Sequence, residues 1–342
     1  MPTNTLATNI PLAPSHAGAN GVVAILSDSA YQNASMQIFL SVLGVLLLAG
    51  LVGMVLARIP LGTKARAVMA NFSARVRLWW WMAAILTLAF WLGKVGIVVL
   101  FGFLSFYCLR EFISLQYTRR SDHWAIAAGF YLLLPLQYAL IWREDYDLYT
   151  LLIPVYAFLF LPMLSALHAD STRFLERSSK GQWGLMISVY GISHVPALLA
   201  LKIPGYEGRN LLLIAFLVLV VQSSDIAQYL VGKLTRGMPL IRRLIPEMTL
   251  KTLAAGLASA SVMGLLLWWM TPFNWWQAPL IALLIAVLGM LGHLVMAAIK
   301  RDRGIASWGD TIEGHGSMLD KLESAIFAAP IYFHIVHAFW AK

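Results

Sequence analysis

Apolar runs of membrane-crossing length recur from about residue 36 to the end of this chain. A helix needs roughly 20 apolar residues to cross the hydrocarbon core, where no water can satisfy a stray backbone group, so such runs must form packed helices. Runs at 36–57, 78–93, 95–109, 125–142, 149–167, 183–201, 210–222, 252–270, 279–299 and 325–340 predict ten spans within 342 residues. The second and third are short and separated only by Gly93-Lys94, which is compatible with a hairpin or with one kinked pair. With 60% hydrophobic and 12% charged residues and a mean hydropathy of +0.73, a soluble globular domain is excluded. The expected fold class is therefore all-α, a polytopic integral membrane protein of about ten transmembrane helices. Residues 1–35 are polar, without a basic segment leading into an apolar core, and read as an N-terminal tail rather than a signal peptide. Residues 36–209 form the N-terminal spans, and 210–342 a C-terminal transmembrane region whose loops carry the chemically informative residues.

Charge assigns the sides. Of the 25 Lys and Arg residues, 20 fall in segments 58–77, 110–124, 168–182, 223–251 and 300–324. The alternate side keeps only Lys94, Arg143, Lys202, Arg209 and Lys342. Cytoplasmic loops are enriched in such cations, so the first set is expected to face the cytoplasm, with both termini outside. The net charge of +9 then reflects topology, and no recognition fold supports nucleic acid as a partner. Trp79-Trp80-Trp81, Trp268-Trp269 and Trp275-Trp276 sit at span ends, as interfacial aromatics do. The single cysteine, Cys108, excludes an internal disulfide and a cysteine-based metal site.

Acidic residues contribute little to orientation, yet 11 of 16 lie on the basic side. Three constellations there can carry chemistry. Asp225, Tyr229 and Lys233 are spaced to share one helical face, which suits either a functional carboxylate or a helix end reaching into headgroups. The basic segment Arg236–Lys251, with Arg242-Arg243, Pro246-Glu247 and Thr249, suits either a solvated loop that attracts anionic lipid or a set of substrate contacts. Between 293 and 323, Lys300-Arg301 ends one apolar run, and Gly304, Gly309, Gly314 and Gly316 surround His315. Such a glycine-rich loop leaves backbone N–H groups free to approach an anion. Asp320 and Glu323 stand one turn apart, with Lys321 beside them. Mg²⁺ takes one or two carboxylates and fills its other positions with water and phosphate oxygens, so these residue types fit phosphoryl or nucleotidyl transfer. No Walker loop, zinc spacing or GxSxG is present. His194, His334 and His337, each on an apolar run, read as packing or helix–helix hydrogen bonding.

Three stretches resemble the phosphatidate cytidylyltransferase (CDP-diacylglycerol synthase) family: Asp225 to Lys233, Pro246-Glu247-Met248-Thr249 with Gly256, and residues 297–323. In the last, Lys300, Arg301, Gly309, Ile312, His315, Gly316 and Asp320 match the family's C-terminal signature. Ser317 replaces a glycine, Lys321 an arginine and Glu323 an aspartate; Ala306-Ser307 replaces a Lys-Asp pair, Met248 a lysine, and His293 an aspartate found in many members. The resemblance implies a nucleotidyltransferase that joins CTP and phosphatidate to give CDP-diacylglycerol and pyrophosphate. It implies Asp225, Asp320, Lys300 and Arg301 as catalytic residues, and Mg²⁺ or Mn²⁺ held by Asp225 and Asp320 with Glu323 assisting. Lys233, Thr249, Lys251, Gly314, His315, Gly316 and Lys321 are the implied substrate contacts. A multi-pass location, the inner membrane if bacterial, with a cytoplasmic active site, membrane lipids around it and a homodimer, completes the expectation. The substitutions support the alternative of a catalytically degenerate relative that binds lipid or acts as a scaffold. A solute transporter fits less well, because the charges cluster at one membrane face rather than near the midplane.

Overall fold

The computed structural model describes residues 84–235, 237–241, 243–309 and 316–341. The expected tail 1–35, the first span 36–57, the loop 58–77 and Trp79-Trp80-Trp81 lie outside the described residues. Within them the chain is an all-α polytopic membrane protein. Seven helices are long and apolar enough to span a bilayer: α1 Gly93–Ser114, α2 Arg120–Trp142, α3 Tyr146–Ala166, α4 Phe174–Ala200, α5 Leu211–Leu234, α7 Gln277–Arg303 and α8 Met318–Trp340. The shorter α6, Leu250–Leu266, lies between α5 and α7 in sequence. These eight correspond to eight of the ten expected spans; a helical stretch at 84–91 represents part of the ninth. That stretch and α1 are not one continuous helix. Gly93 takes a left-handed φ of +69°, and Gly96 lies so close to Ala89 that an added Cβ would stand 2.4 Å from its carbonyl oxygen.

Hydropathy made the spans too short on the basic side. Helix α5 continues to Leu234 rather than ending at 222, α4 begins at Phe174 rather than 183, and α8 begins at Met318 rather than 325. Several polar residues in these extra turns bond to neighbouring elements, as Arg177 does to Asp122, Gln182 to the Phe158 carbonyl and Glu323 to Lys300. Others pair within their own helix, as Lys180 does with Glu176. A second difference concerns the segment 236–251, expected to be a loop. It folds as a hairpin in which β1, Pro239–Ile241, runs antiparallel to β2, Ile245–Thr249, with Ile241 opposite Ile245. Thr249 then caps α6: its hydroxyl accepts from the Thr252 amide, and the Thr252 hydroxyl accepts from the Thr249 amide.

Lipid offers apolar side chains no gain from leaving it, so close packing holds such helices together. At Gly264 an added Cβ would stand 2.5 Å from Ala282, fixing the α6–α7 approach. At Gly292 it would meet Phe327 of α8 at 2.5 Å. Buried polar groups find partners inside the bundle. The Gln137 amide donates to the Tyr149 carbonyl at 2.9 Å and to Ser193 at 3.2 Å, and Tyr138 donates to the Phe101 carbonyl at 2.7 Å. His337 stacks on Tyr146 with centroids 4.1 Å apart, and buried His194 bonds the Tyr190 carbonyl, in keeping with packing roles.

The loops sort themselves into two ends of the bundle as charge alternation predicts. At one end Arg177 bridges Asp170 at 2.8 Å and Asp122 at 3.4 Å, while Ser121 also donates to Asp170. Hydrogen bonds from Arg177, then from Thr172 and Ser121, hold the Asp170 carboxyl well below the usual carboxylate range. Trp308 stacks on Phe112 at 5.0 Å, joining the loop after α7 to the same end of α1. At the other end Lys94 bonds Glu144 at 2.6 Å and the Trp142 carbonyl, and the Tyr206 hydroxyl donates to the Met270 carbonyl.

Candidate active site

A cavity of about 310 Å³ opens at the basic end, among the C-terminal halves of α5 and α7, the first turns of α6 and α8, and strand β2. Its wall includes Gln222, Asp225, Gln228 and Tyr229 from α5, Glu247 and Met248 from β2, and His293 from α7. Asp320, Lys321, Glu323 and Ser324 come from α8. The neighbouring helices run in alternate directions, so two C-terminal ends and two N-terminal ends meet at one membrane face. That geometry brings together residues nearly 100 positions apart.

The first turn of α8 carries the densest network. Ser317 caps the helix by accepting from the Asp320 amide at 3.0 Å, and Asp320 returns a carboxylate oxygen to the Ser317 amide and hydroxyl. Outside this box, the Glu111 carboxylate at the end of α1 accepts from the Met318 amide at 3.0 Å and the Leu319 amide at 2.8 Å. Anionic groups are favoured there because the helix N-terminus presents unpaired N–H groups and the positive end of its dipole. Gly316, just before the cap, takes a φ of +86°, a conformation that L side chains rarely adopt.

Cations from α7 bind the carboxylates of α8. Lys300 reaches Asp320 at 2.8 Å and Glu323 at 3.3 Å, so one ammonium bridges two acids a turn apart. His293 Nδ1 bonds the other oxygen of Glu323. Ser307, in the loop between the helices, donates to Asp320 at 2.6 Å. Asp320 is thereby contacted by Lys300, Ser307 and Ser317, and Glu323 by Lys300 and His293. Asp225 differs: its hydrogen bond comes from the Ser324 hydroxyl at 3.3 Å.

Of the expected site residues, the structure gathers Asp225, Asp320, Glu323, Lys300 and Lys321 at or beside this cavity, with Gly316 at its edge. Others are elsewhere. Lys233 is exposed and its ammonium lies 5.7 Å from the Tyr229 ring centroid, while Arg301 and Lys251 are exposed and absent from the wall. Thr249 is buried and occupied by the α6 cap, which its side chain could not leave without uncapping the helix. Gly314 and His315 lie outside the described residues.

Sequence reasoning missed Glu111, and it counted His293, Ser307 and Ser317 as departures from the family pattern. All three of those substitutions contact the site's carboxylates. The signal for Ser317 was present, since a serine three residues before an acid ahead of an apolar run marks a capping box. Glu111 gave none, because its partners are 207 and 208 positions away.

The donor set suits a hard divalent cation of the Mg²⁺ type, which needs only one or two carboxylates if phosphate oxygens and water complete its shell. Asp225, with its single long contact, is the carboxylate most available for that role. Among the described residues no three His, Cys, Asp or Glu side chains are gathered as a ready-made metal cage.

The sequence profile of the cytidylyltransferase family matches residues 73–339. An uncharacterized protein of Escherichia coli, YnbB, is 34% identical over 265 residues, covering 77% of this chain and 86% of that one. Phosphatidate cytidylyltransferases are similar over a shorter stretch. The Synechocystis protein is 30% identical over 118 residues, 34% of this chain and 40% of its own length. The Brucella suis protein is 32% identical over 130 residues, 38% of this chain and 48% of its own. The chain thus spans about half the length, or less, of these enzymes. Because the profile extends from before α1 to the end of α8, through every element that builds the cavity, the chain belongs to the cytidylyltransferase family.

Proposed function

We propose that this protein joins CTP to phosphatidate, forming CDP-diacylglycerol and pyrophosphate. The observation that carries the reading is the convergence of Asp225, Asp320, Glu323, Lys300 and Lys321 on one polar cavity at a membrane face. In the reaction an oxygen of the lipid phosphate bonds to the α-phosphorus of CTP. The bond from that phosphorus to the bridging oxygen breaks, and its electron pair leaves with pyrophosphate. The difficulty is the mutual repulsion of two polyanions, so catalysis rests on positioning and charge compensation rather than on a covalent enzyme intermediate.

Lys300 and Lys321 are the nearby cations for phosphate oxygens, with Lys300 held in place by Asp320 and Glu323. Asp225, assisted by Glu323 and Asp320, would hold Mg²⁺ or Mn²⁺, which supplies further neutralisation of the phosphates when bound. His293 fixes the Glu323 carboxylate. CTP would arrive from the basic side, which the distribution of Lys and Arg assigns to the cytoplasm, while the acyl chains stay in the bilayer.

One observation favours a second reading. Lys300 and His293 already engage Asp320 and Glu323, an arrangement that suits a relative which binds lipid without turnover. Purified protein in detergent, supplied with radiolabelled CTP, phosphatidate and Mg²⁺ or Mn²⁺, separates the two. Labelled lipid, lost in Asp225→Asn, is the expected result. Binding of CTP or phosphatidate without product would support the second reading, and binding of neither would refute both.

A further inference from the structure

The hairpin between α5 and α6 presents an outer surface that the bundle does not use. Leu234 is 82% exposed and Met238 92% exposed, and Leu240 and Leu250 are exposed beside them. Such a run of large apolar side chains, rimmed by polar groups, marks an interaction surface. Lys233, Arg243 and Lys251 are exposed cations at the end of α5, at the turn between the strands and at the start of α6. Met248 of β2 is buried, and it lines the cavity with Ile245 and Glu247 of the same strand. The hairpin and the helix ends that carry it therefore contribute β2 to the cavity wall and expose apolar and basic side chains beyond it.

Position narrows what can cover that surface. Leu234 is the last residue of a 24-residue apolar helix, and β2 passes directly into α6 at Leu250. Both ends of the hairpin are thus tied to helices of the membrane bundle, and only 15 residues separate those helices. Strand β2 also packs against both α5 and α6, which keeps it close to the helix ends. A surface that combines apolar side chains with flanking Lys and Arg matches the layer where acyl chains meet anionic headgroups.

We propose that this hairpin lies in the headgroup layer of an anionic leaflet, with Leu234, Met238 and Leu240 immersed and Lys233, Arg243 and Lys251 on lipid phosphates. The cavity wall at Ile245, Glu247 and Met248 is then held at the depth of a phospholipid headgroup. The consequence concerns where the site meets lipid, and it stands whether or not turnover occurs.

The test uses the full chain in lipid nanodiscs, with an environment-sensitive fluorophore on Met238→Cys. The natural chain, whose one cysteine Cys108 is buried, serves as the labelling control. Nanodiscs of phosphatidylcholine alone are compared with nanodiscs containing phosphatidylglycerol, each with shallow doxyl-labelled lipid or with aqueous iodide as quencher. The expected result is blue-shifted emission, strong doxyl quenching that increases with phosphatidylglycerol, and weak iodide quenching. In Met238→Cys carrying Arg243→Gln and Lys251→Gln, the response to phosphatidylglycerol is expected to fall towards that in phosphatidylcholine alone. Iodide quenching without doxyl quenching would overturn the proposal. So would Met238→Cys crosslinking between two copies, because a second copy would then cover the surface.

Discussion

Replacing Glu111 by alanine is the sharpest test of how the site is held. Its carboxylate is buried and accepts from the backbone amides of Met318 and Leu319, the first two residues of α8. Alanine removes both acceptors and leaves two N–H groups facing a protein wall. A hydrogen bond to a charged group contributes about 1.5–3 kcal/mol, and an orphaned buried donor costs about 1–3 kcal/mol. Water reaching the rim would offset part of this, so about 2–4 kcal/mol is expected, falling mainly on the first turn of α8. Each 1.4 kcal/mol is about tenfold in an equilibrium, so amides of 318–323 should exchange roughly 30- to 700-fold faster with deuterium. Glu111→Gln retains one acceptor and should show about half of that free-energy change. Because this turn carries Asp320 and Glu323, cytidylyl transfer should fall in parallel although Glu111 does not line the cavity. Unchanged exchange over 318–323 in Glu111→Ala would refute the argument.

Other outcomes follow from the same geometry. Asp320→Asn keeps an oxygen for Ser317 but loses the charge facing Lys300, whereas Asp320→Ala also removes the oxygen that accepts from the Ser317 amide and hydroxyl, the reciprocal half of the capping box, at about 1 kcal/mol. Turnover should fall in both, and thermal stability should fall further in the alanine variant. His293→Ala frees Glu323, so kcat is expected to drop more than the KM for CTP rises; His293→Asn, which can still donate, should recover part of the loss. Acid should loosen the basic end. Asp170 titrates below its ordinary value near 4, so its contribution is fully present above that value and is lost as pH falls through the folded pKa. Protection in 168–178, taken as the exchange rate relative to the intrinsic rate at each pH from 5 to 2, should fall in the natural chain; Asp170→Asn should show low protection throughout.

The apolar periodicity made the class and most of the spans legible, because twenty apolar residues in a row have few alternatives in water or lipid. The two-ended sorting of the loops was equally readable from Lys and Arg. Helix ends were not. Residues such as Ser223, Ser224, Asp225 and Gln228 look like the exit from a membrane, yet they remain helical because α6, α8 and neighbouring side chains accept or donate to them. Ser259 donates to the Ser223 carbonyl, Gln228 to Ser224, and Ser324 to Asp225. Acid and base residues of the site could be named from motif spacing, but their pairing could not. That Lys300, rather than Arg301, reaches α8 depends on the rotation of α7, which adjacent cations in a sequence leave undetermined. The hairpin was hidden because its strands are only three and five residues long and are separated by basic residues.

Lys300 gives the cavity an internal competition. One ammonium serves two carboxylates, so in the proposed reaction an incoming nucleotide phosphate would have to draw it away from acids it already pairs with. A divalent cation that took over those acids would release the ammonium and make a nucleotide easier to bind. By reciprocity, the nucleotide would then strengthen the hold on the cation by the same factor. Each ligand is thus expected to bind weakly by itself and tightly in the presence of the other, so an idle site would retain neither.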